Sequence, residues 1–254
     1  MKEEKHKMRS FKYFLFVLIM FLFFACDSGD IEEKKYTVNN TGKTVKLTGC
    51  IRGLNAWEES EYGIALAGFS DDSYYAVMQR TVTPVDDSGV LNFVLNGVSN
   101  SISTVELAVT NNLRRRILSL ATIDMTAYGG NTPSDTIYLE VGDIDVTPYG
   151  CIQMGIFDKA CIQCHGGNGR SAGGLNLMKD LSYGNLVDVA STQKNGYYRV
   201  ISGDADNSLL WQILNEGGEN LLHYNHTEVL SSQFKNNLDE TKSFIQNWIK
   251  NLAD

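Results

Sequence analysis

The chain is poor in proline, with three, and in histidine, with four, and beyond one Cys-x-x-Cys it has no second closely spaced cysteine pair. It also lacks a long hydrophobic run. The most apolar segment, Tyr13 to Ala25, falls short of the ~18 to 20 residues a helix needs to span a bilayer. Beyond the first twelve residues, basic side chains cluster only at Arg114–Arg116, inside a strand-rich region, where a solvated turn or strand face is the plainer meaning. A phosphate backbone needs a broader Lys/Arg surface, so nucleic acid is not an expected partner. What is present is the composition of a globular protein, 43% hydrophobic and 20% charged with a net charge of −8.

Lys2, Lys5, Lys7, Arg9 and Lys12 precede the apolar run, which gives residues 1–25 the form of a secretory signal peptide. Cys26 closes the run, after Ala25 and before "DSGD", and resembles the lipobox cysteine of bacterial lipoproteins. Phe23 and Phe24 depart from that pattern, in which a leucine and a small residue are usual. The resemblance implies lipidation of Cys26 and a lipid-anchored protein of the cell envelope, at the outer membrane; one acyl chain needs no basic patch beside it. Removing the leader takes away more basic than acidic side chains, so the mature chain is more acidic still. Residues 26–43 are polar and charged and read as a tether.

Residues 44–147 contain seven short β-rich runs: "TVKLTGCIRG", "YGIALAGF", "YYAVMQRTV", "VLNFVLNGV", "TVELAVT", "RILSLATI" and "TIYLEVGDIDV". Breakers such as Asp86-Asp87-Ser88-Gly89 and Gly129-Gly130-Asn131 separate them, and the pattern predicts an immunoglobulin-like β-sandwich. The segment Arg115 to Met125 also fits a helix on periodicity. No spacing here is catalytic, and the aromatics Trp57, Tyr62, Phe69, Tyr74 and Tyr75 read as core and rim.

The character changes after Pro148-Tyr149-Gly150, and residues 148–254 form the second expected domain. Ile152, Ile156 and Phe157 stand at helical spacing before the stretch "KACIQCHGGNGR". At the far end Leu238, Phe244, Ile245, Trp248 and Ile249 make one helical stripe, with Asp239 and Glu240 in the first turn, where the helix dipole favours acids.

Cys161-x-x-Cys164-His165 fits four chemistries unequally. Structural zinc needs four ligands, and the remaining supply is Cys50, Cys151, His223 and His226 without a second pair. A thiol redox pair opens a helix after a strand, whereas these cysteines come late in a helical pattern. A disulfide between them closes too short a loop to stabilise much. Covalent haem c uses all three residues: two thioethers to the vinyl groups and an imidazole to the iron. That attachment takes place outside the cytoplasm, so it requires the leader.

With that motif on the page, residues 151–254 resemble the small planctomycete-type monohaem cytochrome c domains of exported bacterial proteins. The matching segments are "IFDKACIQCHG", "GGLNL", "VISGDADNSLLWQIL" and "FIQNWI", in that order. The resemblance implies an all-α cytochrome c fold, one haem held by Cys161, Cys164 and His165, and burial of the haem by Phe157, Leu177, Leu210, Trp211 and Trp248. The family's distal methionine, in Met-Pro-Pro, is missing; the region reads "ENLLHYNHTEVLSS". The expected sixth ligand is therefore His226 or His223, the former better placed, or else the iron is five-coordinate and both histidines belong to a loop. Met178 falls in the elbow and is assigned to packing.

Cys50 and Cys151 are expected to pair as a disulfide joining the two domains, in a compartment that permits it. Three functions remain in view. The first is electron transfer at the cell envelope with a redox partner. The second is an accessory binding lipoprotein of an outer-membrane nutrient-import complex, its haem mainly structural. The third is peroxidase-like catalysis with a free distal histidine as acid-base group.

Overall fold

The computed structural model describes residues 42–252 apart from 59, 72, 84–88, 130–135, 168, 170, 216–218 and 223. The expected leader, Cys26 and most of the tether lie outside the described residues. Residues 40–254 form one compact unit.

Seven strands make two sheets. β1 (Lys43–Arg52) is central in the first, antiparallel to β4 (Val90–Val98) and parallel to β7 (Thr136–Asp145). The second runs β3 (Met78–Thr81), β2 (Tyr62–Phe69), β5 (Thr104–Asn111), β6 (Arg116–Asp124), all antiparallel. Alternation explains the first sheet: Val45 and Leu47 of β1 and Ile137 and Leu139 of β7 point inward, while Thr44, Lys46, Tyr138 and Glu140 alternate with them. β2 is buried on both faces. Ile64 and Leu66 enter the main core, and Ala65, Ala67 and Phe69 form a second small cluster with Ala76. The Arg115 to Met125 segment is strand, because its pairing with β5 satisfies its backbone.

Helices follow the strands without a gap. Thr147 caps α1 (Pro148–Ile152), accepting from the Gly150 amide, and Pro148 occupies the first turn, where its missing N–H costs nothing. A π-helix (Gln153–Cys161) continues α1 and passes into α2 (Ile162–His165). After α3 (Ser182–Leu186) come α4 (Leu209–Asn215), α5 (Glu219–Leu222), α6 (His226–Phe234) and the closing α7 (Leu238–Lys250). The stripe expected on α7 is buried at Phe244, Ile245, Trp248 and Ile249. Among the described residues no helix is long and apolar enough to cross a membrane.

The expected fold class, an immunoglobulin-like sandwich followed by an all-α cytochrome c fold, is overturned. The described residues are of mixed class, about 35% strand in two sheets and 36% helix, and no all-α cytochrome c fold is evident in their helical part. The physical reason lies in the packing. One continuous hydrophobic core runs from Val45 and Leu107 in the sheets to Ile156 and Ile249 in the helices. Phe244 of α7 stacks on Trp57 at 6.0 Å and meets Tyr62 edge-on at 5.2 Å. Strand β6 would be an open sheet edge. Instead Asn237 Nδ2 donates to the Ile117 carbonyl at 2.8 Å, and Lys159 Nζ donates to the Ser119 carbonyl at 2.6 Å. Gly155 lets the π-helix approach this strand, since a Cβ there would lie 3.1 Å from Leu118 Cδ1.

The arginine cluster has structural partners. Arg115 pairs with Glu240 at 2.8 Å, and Arg116 pairs with the buried Glu106 while lying over the rings of Phe69 and Tyr74. The disulfide expected between Cys50 and Cys151 is not formed. Cys151 is a free, fully buried thiol whose Sγ donates to the Val146 carbonyl at 3.5 Å, and burial pushes its pKa well up. Its place at the root of α1 directs it into the core, where the start of the helix packs.

Candidate cofactor site

The helical part encloses a cavity of about 540 Å³, within the usual ~300–1,000 Å³ of cofactor sites. Its first wall is the helix that carries Cys161, Cys164 and His165. Three adjacent pairs line it: Ile156 and Phe157, Ala160 and Cys161, Cys164 and His165. They recur every four residues, more than the 3.6 of an α-helix. The wider π turn, with its i→i+5 hydrogen bonds, keeps all three pairs on one side. Apolar side chains of α4, Leu209, Leu210, Ile213 and Leu214, make a second wall, and Leu177 and Leu186 a third.

His165 ends α2, and Gly166 turns the chain sharply there; a Cβ on that glycine would lie 2.5 Å from the Ile162 carbonyl oxygen. The turn lets His165 Nδ1 donate to the Ala172 carbonyl at 2.9 Å. Across the cavity His226 opens α6. Asn225 caps that helix by accepting from the Glu228 amide, and His226 Nδ1 donates to the Tyr224 carbonyl at 3.1 Å. Both rings are half-buried. Burial pulls each below the ordinary histidine pKa, against the opposing pull of those carbonyls. The carbonyl at each Nδ1 calls for a proton there, and the downward shift favours the neutral ring, the form that binds a metal through its other nitrogen.

The two ring centres lie 6.2 Å apart with their planes inclined by 20°. A single metal held end-on between two imidazole nitrogens, at about 2.0 Å from each, needs ring centres roughly 6 Å apart. The separation of the two ring centres is of that size. Four further protein ligands are not on offer: among the described residues no cluster of three His, Cys, Asp or Glu side chains is placed to hold a metal ion. Two axial imidazoles suit a metal whose equatorial ligands arrive with it in a planar organic frame, and the apolar walls suit such a frame.

Cys161 is half-buried and Cys164 exposed, and both line the cavity. The Cys161 thiol is pushed up to about 12, first by burial and then by Cys164 and Asp158. A redox dithiol depends on a depressed thiol pKa, and burial shifts Cys161 the other way.

Three expected lining residues are here, Phe157, Leu177 and Leu210. Trp211 and Trp248 are not. The register of α4 turns Leu209, Leu210, Ile213 and Leu214 to the cavity and leaves Trp211 half-buried elsewhere, while Trp248 packs on Tyr149 at 5.3 Å. Met178 is exposed and does not line the cavity, and no methionine among the described residues does. His223 lies outside the described residues.

Two features were not anticipated. The π-helix left a signal in the sequence, the four-residue recurrence of the three pairs. Arg199, buried on the cavity wall, left only a faint one, a lone basic residue inside the otherwise apolar and aromatic "YYRVI". Comparison of the chain with protein-family models, with curated proteins and with solved structures found no match in any of the three.

Proposed function

We propose that the chain carries one covalent haem c and serves as a one-electron carrier at the cell envelope. The observation that supports this reading best is the pair of imidazoles, His165 and His226, across an apolar cavity beside Cys161-x-x-Cys164. In this reading each cysteine thiol adds across a vinyl group, the sulfur bonding one carbon and the proton passing to its neighbour. His165 and His226 would ligate the iron, each held at Nδ1 by a backbone carbonyl. Haem c, when bound, supplies a couple between ferric and ferrous iron.

The chain's own residues set the working range. A second imidazole in place of a thioether lowers the potential, while Leu177, Leu210 and Ile213 exclude water and disfavour the more highly charged oxidised state. Export through residues 1–25 and anchoring at Cys26 belong to the same reading, since haem c is attached outside the cytoplasm. The partner is a redox protein or an outer-membrane complex. The test is expression of the full chain with its leader in a host equipped for haem c maturation, followed by a haem-stained denaturing gel. The wild type is expected to stain and a Cys161→Ala/Cys164→Ala variant to lose the stain; a soluble, folded wild type without it would overturn the proposal.

A further inference from the structure

Arg199 is 8% exposed and lines the same cavity as the two histidines. Among the described residues its guanidinium hydrogen-bonds to backbone carbonyls alone. Nη1 donates to Asn185 at 2.6 Å, and Nη2 to Gly174 at 3.1 Å and Gly173 at 3.4 Å. No carboxylate of a described residue forms an ion pair with it.

A guanidinium has five N–H donors and keeps its charge at every accessible pH. Three carbonyls occupy three donors and neutralise nothing. A buried cation without a counter-ion is costly, and neutral acceptors offset only part of that cost. The wall on which Arg199 stands is the cavity's polar one, with Ser191, Gln193 and Lys194; the walls from the π-helix and α4 are mainly apolar. A ligand that fills this cavity therefore meets apolar surface on most sides and an uncompensated cation on one.

We infer that Arg199 receives a carboxylate carried by the ligand of this cavity, which, on the haem reading that this inference rests on, is a propionate side chain of the macrocycle. Nη1 keeps one N–H and Nε its own, and a single charge-assisted hydrogen bond from either suits a carboxylate. The arrangement has two consequences. It fixes which edge of the macrocycle faces residues 191–199, and it keeps the carboxylate ionised, so that a change of redox state takes up no proton there. A fixed cation at this wall also disfavours the more positive oxidised state and raises the potential.

The test uses the haem-loaded full chain as wild type, Arg199→Gln and Arg199→Lys. Two quantities are read: the vibrational signature of the propionate carboxylates, and the midpoint potential between about pH 5 and pH 8, where a carboxylate released from its partner completes its titration. The other titratable side chains lining the cavity are Cys161, Cys164, His165, Lys194, Tyr224 and His226. In the loaded protein the first three and His226 are bound, and Lys194 and Tyr224 are common to all three proteins, so they do not account for a difference between them. Wild type is expected to show an ionised carboxylate and a flat potential across the range. Arg199→Gln should show a lower potential that falls as pH rises, and Arg199→Lys should restore most of the flatness. A loss of stability alone, with carboxylate signature and pH profile unchanged in loaded Arg199→Gln, would overturn the inference. Should that variant not be recovered, the wild type decides: both propionates protonated near pH 5 would overturn it equally. A wild type without covalent haem removes the proposed function itself, and the stained gel reports that failure separately.

Discussion

Replacing Phe244 with alanine should loosen the sheets and the helices together. Phe244 is 2% exposed, its ring lies parallel to Trp57 within 6° at 6.0 Å, and Tyr62 meets it edge-on at 5.2 Å. Both partners stand in the strand part, one in the turn before β2 and one at its start. Truncating a buried phenylalanine costs about 3–5 kcal/mol. Each aromatic pair accounts for ~0.5–1.5 kcal/mol of that loss. If residues 42–252 unfold as one unit, the whole loss appears at every amide that exchanges by global unfolding, in β2 and β5 as much as in α7. At about 1.4 kcal/mol per tenfold, their exchange should quicken by roughly two to three and a half orders of magnitude. Peptide-resolved hydrogen exchange measures this directly. Acceleration confined to α7, with β2 and β5 unchanged, would refute the shared core and restore two independent domains.

Three other outcomes are expected. In the haem-loaded chain His226→Ala should convert a low-spin to a high-spin visible spectrum, and His226→Met should raise the midpoint potential; unchanged spectra in both would remove His226 as a ligand. Tyr62 and Tyr149 are both pushed up to about 12, first by burial, so ultraviolet titration should find two tyrosines that resist ionisation well beyond the ordinary tyrosine value. The folded state keeps protons that the unfolded chain releases there, so their contribution to stability is present below pH 10 and is lost as pH rises from about 10 to about 12. Without reductant, Cys151 should resist alkylation in the folded chain and react fully on unfolding; a mass gain on reduction at Cys151 would show a disulfide after all.

Much of the strand part was legible because alternation and turn residues are local. "YGIALAGF" and "VLNFVLNGV" coincide with β2 and β4 to the residue. What lies across from a strand is not local. Nothing in "RILSLATI" says that its outer edge is closed by Asn237 and Lys159, 120 and 40 residues further on. The break at Pro148 was read as a domain boundary for the same reason. A change from strand to helix periodicity marks a change of element, and whether the core stops there depends on contacts such as Leu118 to Gly155 and Trp57 to Phe244. The helical stripe of α7 identified buried positions without identifying what buries them.

The candidate site was legible where spacing carries chemistry and illegible where register does. Cys161, Cys164 and His165 are adjacent in sequence. His226 was favoured over His223 from its place in "YNH", and the Asn225 cap and Glu228 in the first turn show how local sequence sets it at a helix start. Trp211 was assigned to the cavity on size and hydrophobicity, but the register of α4 turns it away. Arg199 carries its meaning only in three dimensions, through burial and the lack of a carboxylate beside it.

The central claim is one iron between two near-parallel imidazoles in a covalently attached macrocycle. Low-temperature electron paramagnetic resonance of the oxidised, haem-loaded chain tests it most directly, because near-parallel ligand planes split the iron orbitals strongly and crossed planes do not. Ring planes 20° apart predict a low-spin ferric spectrum with rhombic splitting. A high-spin spectrum, or no haem signal from a folded chain, would contradict the account.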